Sequence, residues 1–257
     1  MNHKIVFITG ATSGIGEACA AKFASQGYHL ILNGRKDDQL NALQNKLKDQ
    51  YNIEIQTLLF DVRDRKAAQE AIEGLPAQWQ SINILINNAG LALGLDKEHE
   101  GNPEDWDVML DTNVKGLLNI TRLVVPGMVE RNNGHIINIG SIAGEAAYPG
   151  ASVYCATKTA VKLLTDGLRI DLVDTPLRVT NIKPGWVETN FSVTRFKGDL
   201  QRADKVYEGM QPLVAEDIAE SVYFAASAPA HVQIAEILLM PTNQATGTIV
   251  ARPLLNK

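Results

Sequence analysis

Tyr154 and Lys158 lie four residues apart, and on a helix that spacing puts a phenol and an ammonium on one face. A free phenol titrates near pH ~10. A proton shuttle working near neutrality needs that value lowered, and Lys158 is the expected source of the cation that would favour the phenolate. Ser141 ends the apolar run His135-Ile136-Ile137-Asn138-Ile139-Gly140, which reads as a strand, so its hydroxyl is placed to hydrogen-bond a substrate oxygen. Proton exchange at an alcohol or carbonyl is the chemistry this set suits. Tyr-x-x-x-Lys alone also describes a surface pair on an ordinary helix, and the rest of the chain decides between the two.

Near the amino terminus Lys4–Thr9 is a short apolar run. Gly10-Ala11-Thr12-Ser13-Gly14-Ile15-Gly16 and a helical pattern follow it. In a strand–glycine turn–helix unit the backbone can approach a pyrophosphate closely, and the helix start presents N–H groups and a positive dipole end. The spacing is G-x-x-x-G-x-G rather than the commoner G-x-G-x-x-G. At the end of the second strand, Gly34 stands where an acidic residue would bind the ribose 2′-hydroxyl of NAD, and Arg35 and Lys36 follow. A guanidinium fork and a point charge suit a 2′-phosphate, so NADP is the expected cofactor; the competing description is a solvated basic turn before Asp37 and Asp38.

The elements that must position these groups alternate along the chain. Strands are expected near 4–9, 28–33, 53–60, 82–87, 134–139, 177–183 and 234–240, and helices near 14–26, 37–49, 64–74, 104–131, 152–174 and 215–227. Such alternation predicts an α/β fold: one doubly wound parallel sheet over residues 1–257, with helices on both faces and right-handed crossovers. Gly10, Asp61, Asn88, Ser141 and Pro184 then end or follow strands and share one edge, where such sheets bind ligands. With 45% hydrophobic and only 6% aromatic residues the core should be aliphatic. A net charge of -5 argues against a nucleic-acid footprint.

Thr9–Gly16, Asn87-Asn88-Ala89-Gly90, Asn113, Ser141 with Tyr154 and Lys158, and Pro184-Gly185 occur in the order found in the short-chain dehydrogenase/reductase family, which the chain resembles over nearly its whole length. The resemblance implies a seven-stranded Rossmann sheet in the order 3-2-1-4-5-6-7 and hydride transfer between a nicotinamide and a carbinol carbon. Tyr154 exchanges the proton, Ser141 orients the oxygen, and Lys158 tunes the tyrosine and binds ribose. It further implies that Asp61 and Val62 contact adenine, that Asn88, Ala89 and Gly90 pass the ribose, and that Pro184, Gly185, Val187 and Thr189 approach the nicotinamide. Asn113 would hold a water that relays protons to Lys158, and the protein would be a homotetramer built on helices 104–131 and 152–174. From its position alone, Asp61 could equally cap the next helix, and Asn113 and Gly116 are poor helix-interior residues that point to a local distortion or to close packing.

Asp96-Lys97, Glu104–Asp107, Arg195–Asp199 and Pro229–Val232 look like the NADP-dependent 3-hydroxy acid or serine dehydrogenase branch of that family. Substrates would then include serine, allo-threonine and 3-hydroxypropionate. Arg195 lies in the expected substrate loop at about 189–212, where it either pairs with a substrate carboxylate or belongs to a solvated basic loop. Trp186 and Tyr148 are candidate pocket walls. The alternatives are a reductase of carrier-bound 3-oxo groups, which would want a basic docking patch, and an NADP(H) sensor, which would be expected to lack a catalytic residue. Cys19 and Cys155 read as free thiols, and the five histidines show no ligand spacing, so no metal is expected. Without a signal-like segment or a long apolar run, the expected location is cytoplasmic.

Overall fold

The structure, a computed structural model, describes residues 4–252; of the C-terminal tail expected at 245–257, residues 253–257 lie outside that range. Seven strands form one parallel sheet in the order β3-β2-β1-β4-β5-β6-β9. The strands are β1 (Ile5–Ile8), β2 (His29–Gly34), β3 (Ile55–Leu59), β4 (Ile82–Asn87), β5 (His135–Ile139), β6 (Arg178–Pro184) and β9 (Glu236–Leu239). All residues of β1 and β5 are buried, as strands covered on both faces must be. Helices α1 (Gly14–Ser25), α2 (Asp37–Gln50) and α9 (Ala215–Ser227) cover one face; α3 (Arg65–Glu73), α5 (Leu117–Glu130) and α6 (Ser152–Asp171) cover the other.

The first helix rests on the last. Phe23 of α1 meets the rings of Tyr28 and Tyr223 edge-on at centroid distances of 5.2 and 5.6 Å, and Lys22 pairs with Glu220 at 2.6 Å. Ile218, Ala219 and Val222 of α9 complete that apolar layer with Ala20 and Ala24.

Two expectations are corrected. The helix expected over 104–131 is α4 (Pro103–Leu110) and α5 joined by a π-helical turn, Asp111–Gly116. Asn113 and Gly116 sit in that turn, the distortion their low helix propensity signals. The segment 189–212 is more ordered than a loop. It holds α7 (Phe191–Arg195) and α8 (Leu200–Lys205), and the short strands β7 (Val187–Glu188) and β8 (Leu213–Val214) pair at its two ends.

At the opposite edge His135 is buried, and its Nε2 lies 2.7 Å from Thr180 Oγ1. The Thr180 hydroxyl donates to Ile234 O, so the proton sits on Nε2 and Nδ1 is left buried without a partner. Burial, helped by the Arg178 charge, pushes its pKa down to about 3. The unfolded chain binds this proton below about pH 6.5 while the folded one does not, so stability falls as pH drops through that value. Urea unfolding should show a loss of about 2 kcal/mol between pH 6.5 and roughly pH 5 from this residue. His135→Gln should flatten that slope, and an unchanged slope would clear His135 of it.

Candidate active site

The sheet's carboxyl edge opens into a cavity of about 660 Å³. Its floor is made where the loops after β1 and β4 are stapled together. Asn88 Nδ2 donates to Thr9 O and Gly10 O at 2.9 and 3.0 Å, and the Asn88 and Ala89 N–H groups both donate to Thr9 Oγ1 at 3.0 Å. Gly10 and Gly14 take the left-handed φ values of 61° and 54°. A Cβ on Gly16 would sit 2.2 Å from Gly10 O and 2.5 Å from Asn88 Nδ2, so α1 can start this close to β4 only with glycine there. The cradle of bare backbone and helix N-terminus fits a pyrophosphate.

The cavity is lined by Gly10, Thr12, Ser13, Gly14, Ile15, Arg35, Asp61, Val62, Asn88, Ala89, Gly90, Ser141, Tyr154, Lys158, Pro184, Gly185, Val187, Thr189 and Arg195. Lys36 does not line it: the residue precedes α2 with its side chain in solvent, and Arg35 alone faces the nucleotide end. Gly16 and Asn113 stand behind the wall. Asp61 is not the cap of α3, because Asp64 accepts from Ala67 N in that role; its carboxylate is instead gripped by Arg63.

Lys158 is buried, with Nζ donating to Ile139 O at 2.9 Å, which leaves two of its three N–H donors for the cavity. Burial lowers its pKa to about 8. Gly90 makes room beside it, since a Cβ there would approach Asn113 Oδ1 to 3.1 Å and Lys158 Nζ to 3.5 Å. Asn113 pairs with Leu91 like a strand neighbour: Oδ1 accepts from Leu91 N and Nδ2 donates to Leu91 O, both at 2.8 Å. Nδ2 also donates to Thr157 Oγ1, which passes its own proton to Tyr154 O at 2.7 Å. One side chain therefore ties the loop after β4 to the turn of α6 that bears the tyrosine.

Ser141 Oγ accepts from Ala143 N at 3.1 Å and donates to Pro184 O at 3.5 Å, and it shares the cavity wall with Tyr154. The expectation that Lys158 holds the phenol low is not met. Burial, with the neighbouring Tyr148, drives the Tyr154 pKa above its ordinary value, and Ser141 and Arg195 only partly offset it. Lys158 Nζ lies 6.0 Å from the ring centroid and is engaged on a backbone carbonyl.

Arg195, on α7, is fixed over the same tyrosine. Its Cζ is 5.5 Å from the Tyr154 ring centroid, Nε donates to Gly94 O at 3.1 Å, and both terminal nitrogens lie 3.3 Å from Tyr148 Oη. Lys197, by contrast, turns away to Asp105 at 2.8 Å. Trp186 and Tyr148 line the cavity, with Tyr207, Gly247 and Thr248, which no pattern in the sequence had marked. Cys19 and Cys155 are buried free thiols. Among the described residues no group of three or more His, Cys, Asp or Glu is arranged to hold a metal ion, and no helix is long and apolar enough to cross a membrane.

Residues 4–199 match the family model for short chain dehydrogenase. The chain is 50% identical over 241 residues to the NADP-dependent 3-hydroxy acid dehydrogenase YdfG of Salmonella typhi, covering 93% of this chain and 96% of that protein. It is 44% identical over 242 residues to sulfoacetaldehyde reductase 2 of Chromohalobacter salexigens, covering 94% and 95% of the two chains. Its fold superposes with a TM-score of 0.91 on the closed form of serine dehydrogenase complexed with NADP+, at 48% identity over 96% of this chain and 98% of that one.

Asn113→Ala would strip three hydrogen bonds and orphan the buried Leu91 amide, at a cost of roughly 3 kcal/mol in urea unfolding. Unchanged stability with lost turnover would show that Asn113 serves chemistry and not architecture.

Proposed function

This chain belongs to the short-chain dehydrogenase family, and from that premise we propose that it is an NADP-dependent dehydrogenase of small 3-hydroxy acids. The observation that carries the substrate class is Arg195, a guanidinium fixed over the Tyr154 ring in the same cavity. A 3-hydroxy acid has its carboxylate two carbons from the carbinol, which suits an anchor beside the proton-transferring phenol. The Arg195 bonds to Tyr148 Oη, at 3.3 Å, are long for N–H···O contacts, so an anionic oxygen gains by joining or replacing them. Serine, allo-threonine and 3-hydroxypropionate fit this description.

When bound, the nicotinamide supplies the hydride acceptor or donor. Tyr154 gives up or takes the hydroxyl proton, acting as base in oxidation and acid in reduction. Ser141, whose Oγ is oriented by Ala143 N, holds the substrate oxygen beside it. Lys158 offers its two remaining donors to the nucleotide ribose and adds positive charge once the phenol begins to ionise. The glycine loop of Gly10–Gly16 seats the pyrophosphate, Arg35 meets the 2′-phosphate, and Asp61 and Val62 frame the adenine. Pro184, Gly185, Val187 and Thr189 border the nicotinamide end. Asn113 acts in this scheme by holding Leu91 and Thr157, and by helping to hold a water that relays protons to Lys158. The segment 189–212 closes over the substrate. A carrier-bound substrate or a sensor without turnover finds less support, since the serine, tyrosine and lysine all share the cavity with an anion-binding arginine.

A homotetramer is part of the proposal, together with a cytoplasmic location. Leu163 and Ile170 on α6 are 65% and 70% exposed, and Leu118 on α5 is 42% exposed, more apolar surface than these helices need for their own packing.

Two measurements test these statements. Absorbance of the reduced nicotinamide should appear with NADP and the hydroxy acids. Arg195→Ala should raise KM for them at least ~30-fold, the loss of a charge-assisted bidentate contact, and leave uncharged alcohols nearly unaffected. Equal losses on both would sink the carboxylate assignment, and preference for a sulfonate alcohol would reassign the anion. Light scattering should give four chains per particle, falling when Leu163 and Ile170 are both changed to Glu; a monomeric wild-type chain would remove the tetramer.

A further inference from the structure

Asp61 lies between two guanidinium groups that hold it very unequally. Arg63 Nε is 3.0 Å from both carboxylate oxygens, Arg63 Nη2 is 2.7 Å from Oδ2, and the Arg63 backbone N–H donates to Oδ1 at 3.0 Å. Arg35 Nη1 is 3.9 Å from Oδ2. The corner is built, not floppy. Asn119 Nδ2 donates to Val62 O at 2.9 Å, Arg65 Nε in turn donates to Asn119 Oδ1 at 3.0 Å, and Val62 packs on Gly116, where a Cβ would meet its Cγ2 at 2.6 Å. Exposed ion pairs are usually worth little, but a two-oxygen grip on a fixed backbone is the exception.

This arrangement solves a problem that the charges create. A carboxylate on the cavity wall next to Arg35 is an internal anion competing with any external one for the same guanidinium. We propose that Arg63 is a positioning residue that sets coenzyme preference: by occupying both oxygens of Asp61, it leaves Arg35 available to the 2′-phosphate of NADP. The inference rests on the NADP reading and assigns a cause to it. Arg63 does not line the cavity, so it acts through Asp61 and not by touching the nucleotide. Asp61 is pushed up by burial yet held below the usual carboxylate range by the Arg63 bonds and charge, with Arg35 the last contributor. The other charge acting on Arg63 is Asp111 of the π-helical turn, itself paired with Lys115 at 2.6 Å.

The test is equilibrium binding by calorimetry of 2′,5′-ADP and 5′-AMP, fragments that differ only in the 2′-phosphate, so adenine contacts cancel in the ratio of their Kd values. Wild-type protein should prefer 2′,5′-ADP. Arg63→Ala should cut that preference about five-fold, through weaker 2′,5′-ADP binding, with 5′-AMP within about two-fold of wild type. Adding Asp61→Asn to Arg63→Ala should restore most of the preference, because the competing anion is gone. An unchanged ratio in Arg63→Ala overturns the inference. A double variant as poor as Arg63→Ala also overturns it, since Arg63 would then act as a plain cation near the phosphate. Wild-type protein without any preference for 2′,5′-ADP would instead refute NADP as the coenzyme.

Discussion

At Gly144 the segment that follows Ser141 crosses α6 so closely that a Cβ would lie 2.7 Å from the Lys158 carbonyl oxygen. Thr159 Oγ1 closes the crossing by donating to Gly144 O at 3.2 Å. Serine and lysine come from different elements, one from the end of β5 and the other from the middle of a long helix. Only contact of backbone on backbone brings them into a common cavity with the tyrosine one turn earlier. The same economy recurs at Gly16 and Gly90, where the glycine loop and the Asn113 clamp depend on an absent side chain. The edge is therefore assembled from main chain first, and the reactive groups inherit their geometry from it.

Burial sets the electrostatics of the centre. Tyr154 and Lys158 are each only 7% exposed, and desolvation disfavours the charged form of both: the phenol is pushed up and the ammonium down to about 8. Their pKa values thus move apart in the protein alone, and each group is biased toward its neutral form. Lys158 is held by a neutral carbonyl, so its charge stays uncompensated and available to a ligand.

Much of this was legible in the residues. The βα alternation yielded the parallel sheet, since strands buried on both faces announce themselves as apolar runs, whereas the strand order came from the family resemblance; the strand ends fell on the edge where the site lies. Arg195 was visible as a cation beside aromatics, although its fixation on Gly94 and Tyr148 depends on contacts about a hundred and about fifty residues away in sequence, which local pattern does not carry. Lys36 shows the opposite failure, because adjacent basic residues at a strand end point in different directions and only one reaches the cavity. The sign of the Tyr154 shift was missed for a related reason: spacing reveals the nearby cation, whereas desolvation comes from the whole surround. Asp61 stayed ambiguous until Asp64 was seen to hold the cap.

The seating of α1 on α9 has a consequence for biosynthesis. The helix that presents the phosphate cradle lies directly behind the first strand, yet the layer that buries Phe23 is supplied by Ile218, Ala219, Val222 and Tyr223. A nascent chain emerging from the ribosome carries this helix with the α9-facing part of its apolar surface uncovered until about residue 227 has been made. The nucleotide site is thus among the earliest segments synthesised and among the last to be completed, and a chain terminated early would expose that face to chaperones and proteases and have no finished cradle for a coenzyme.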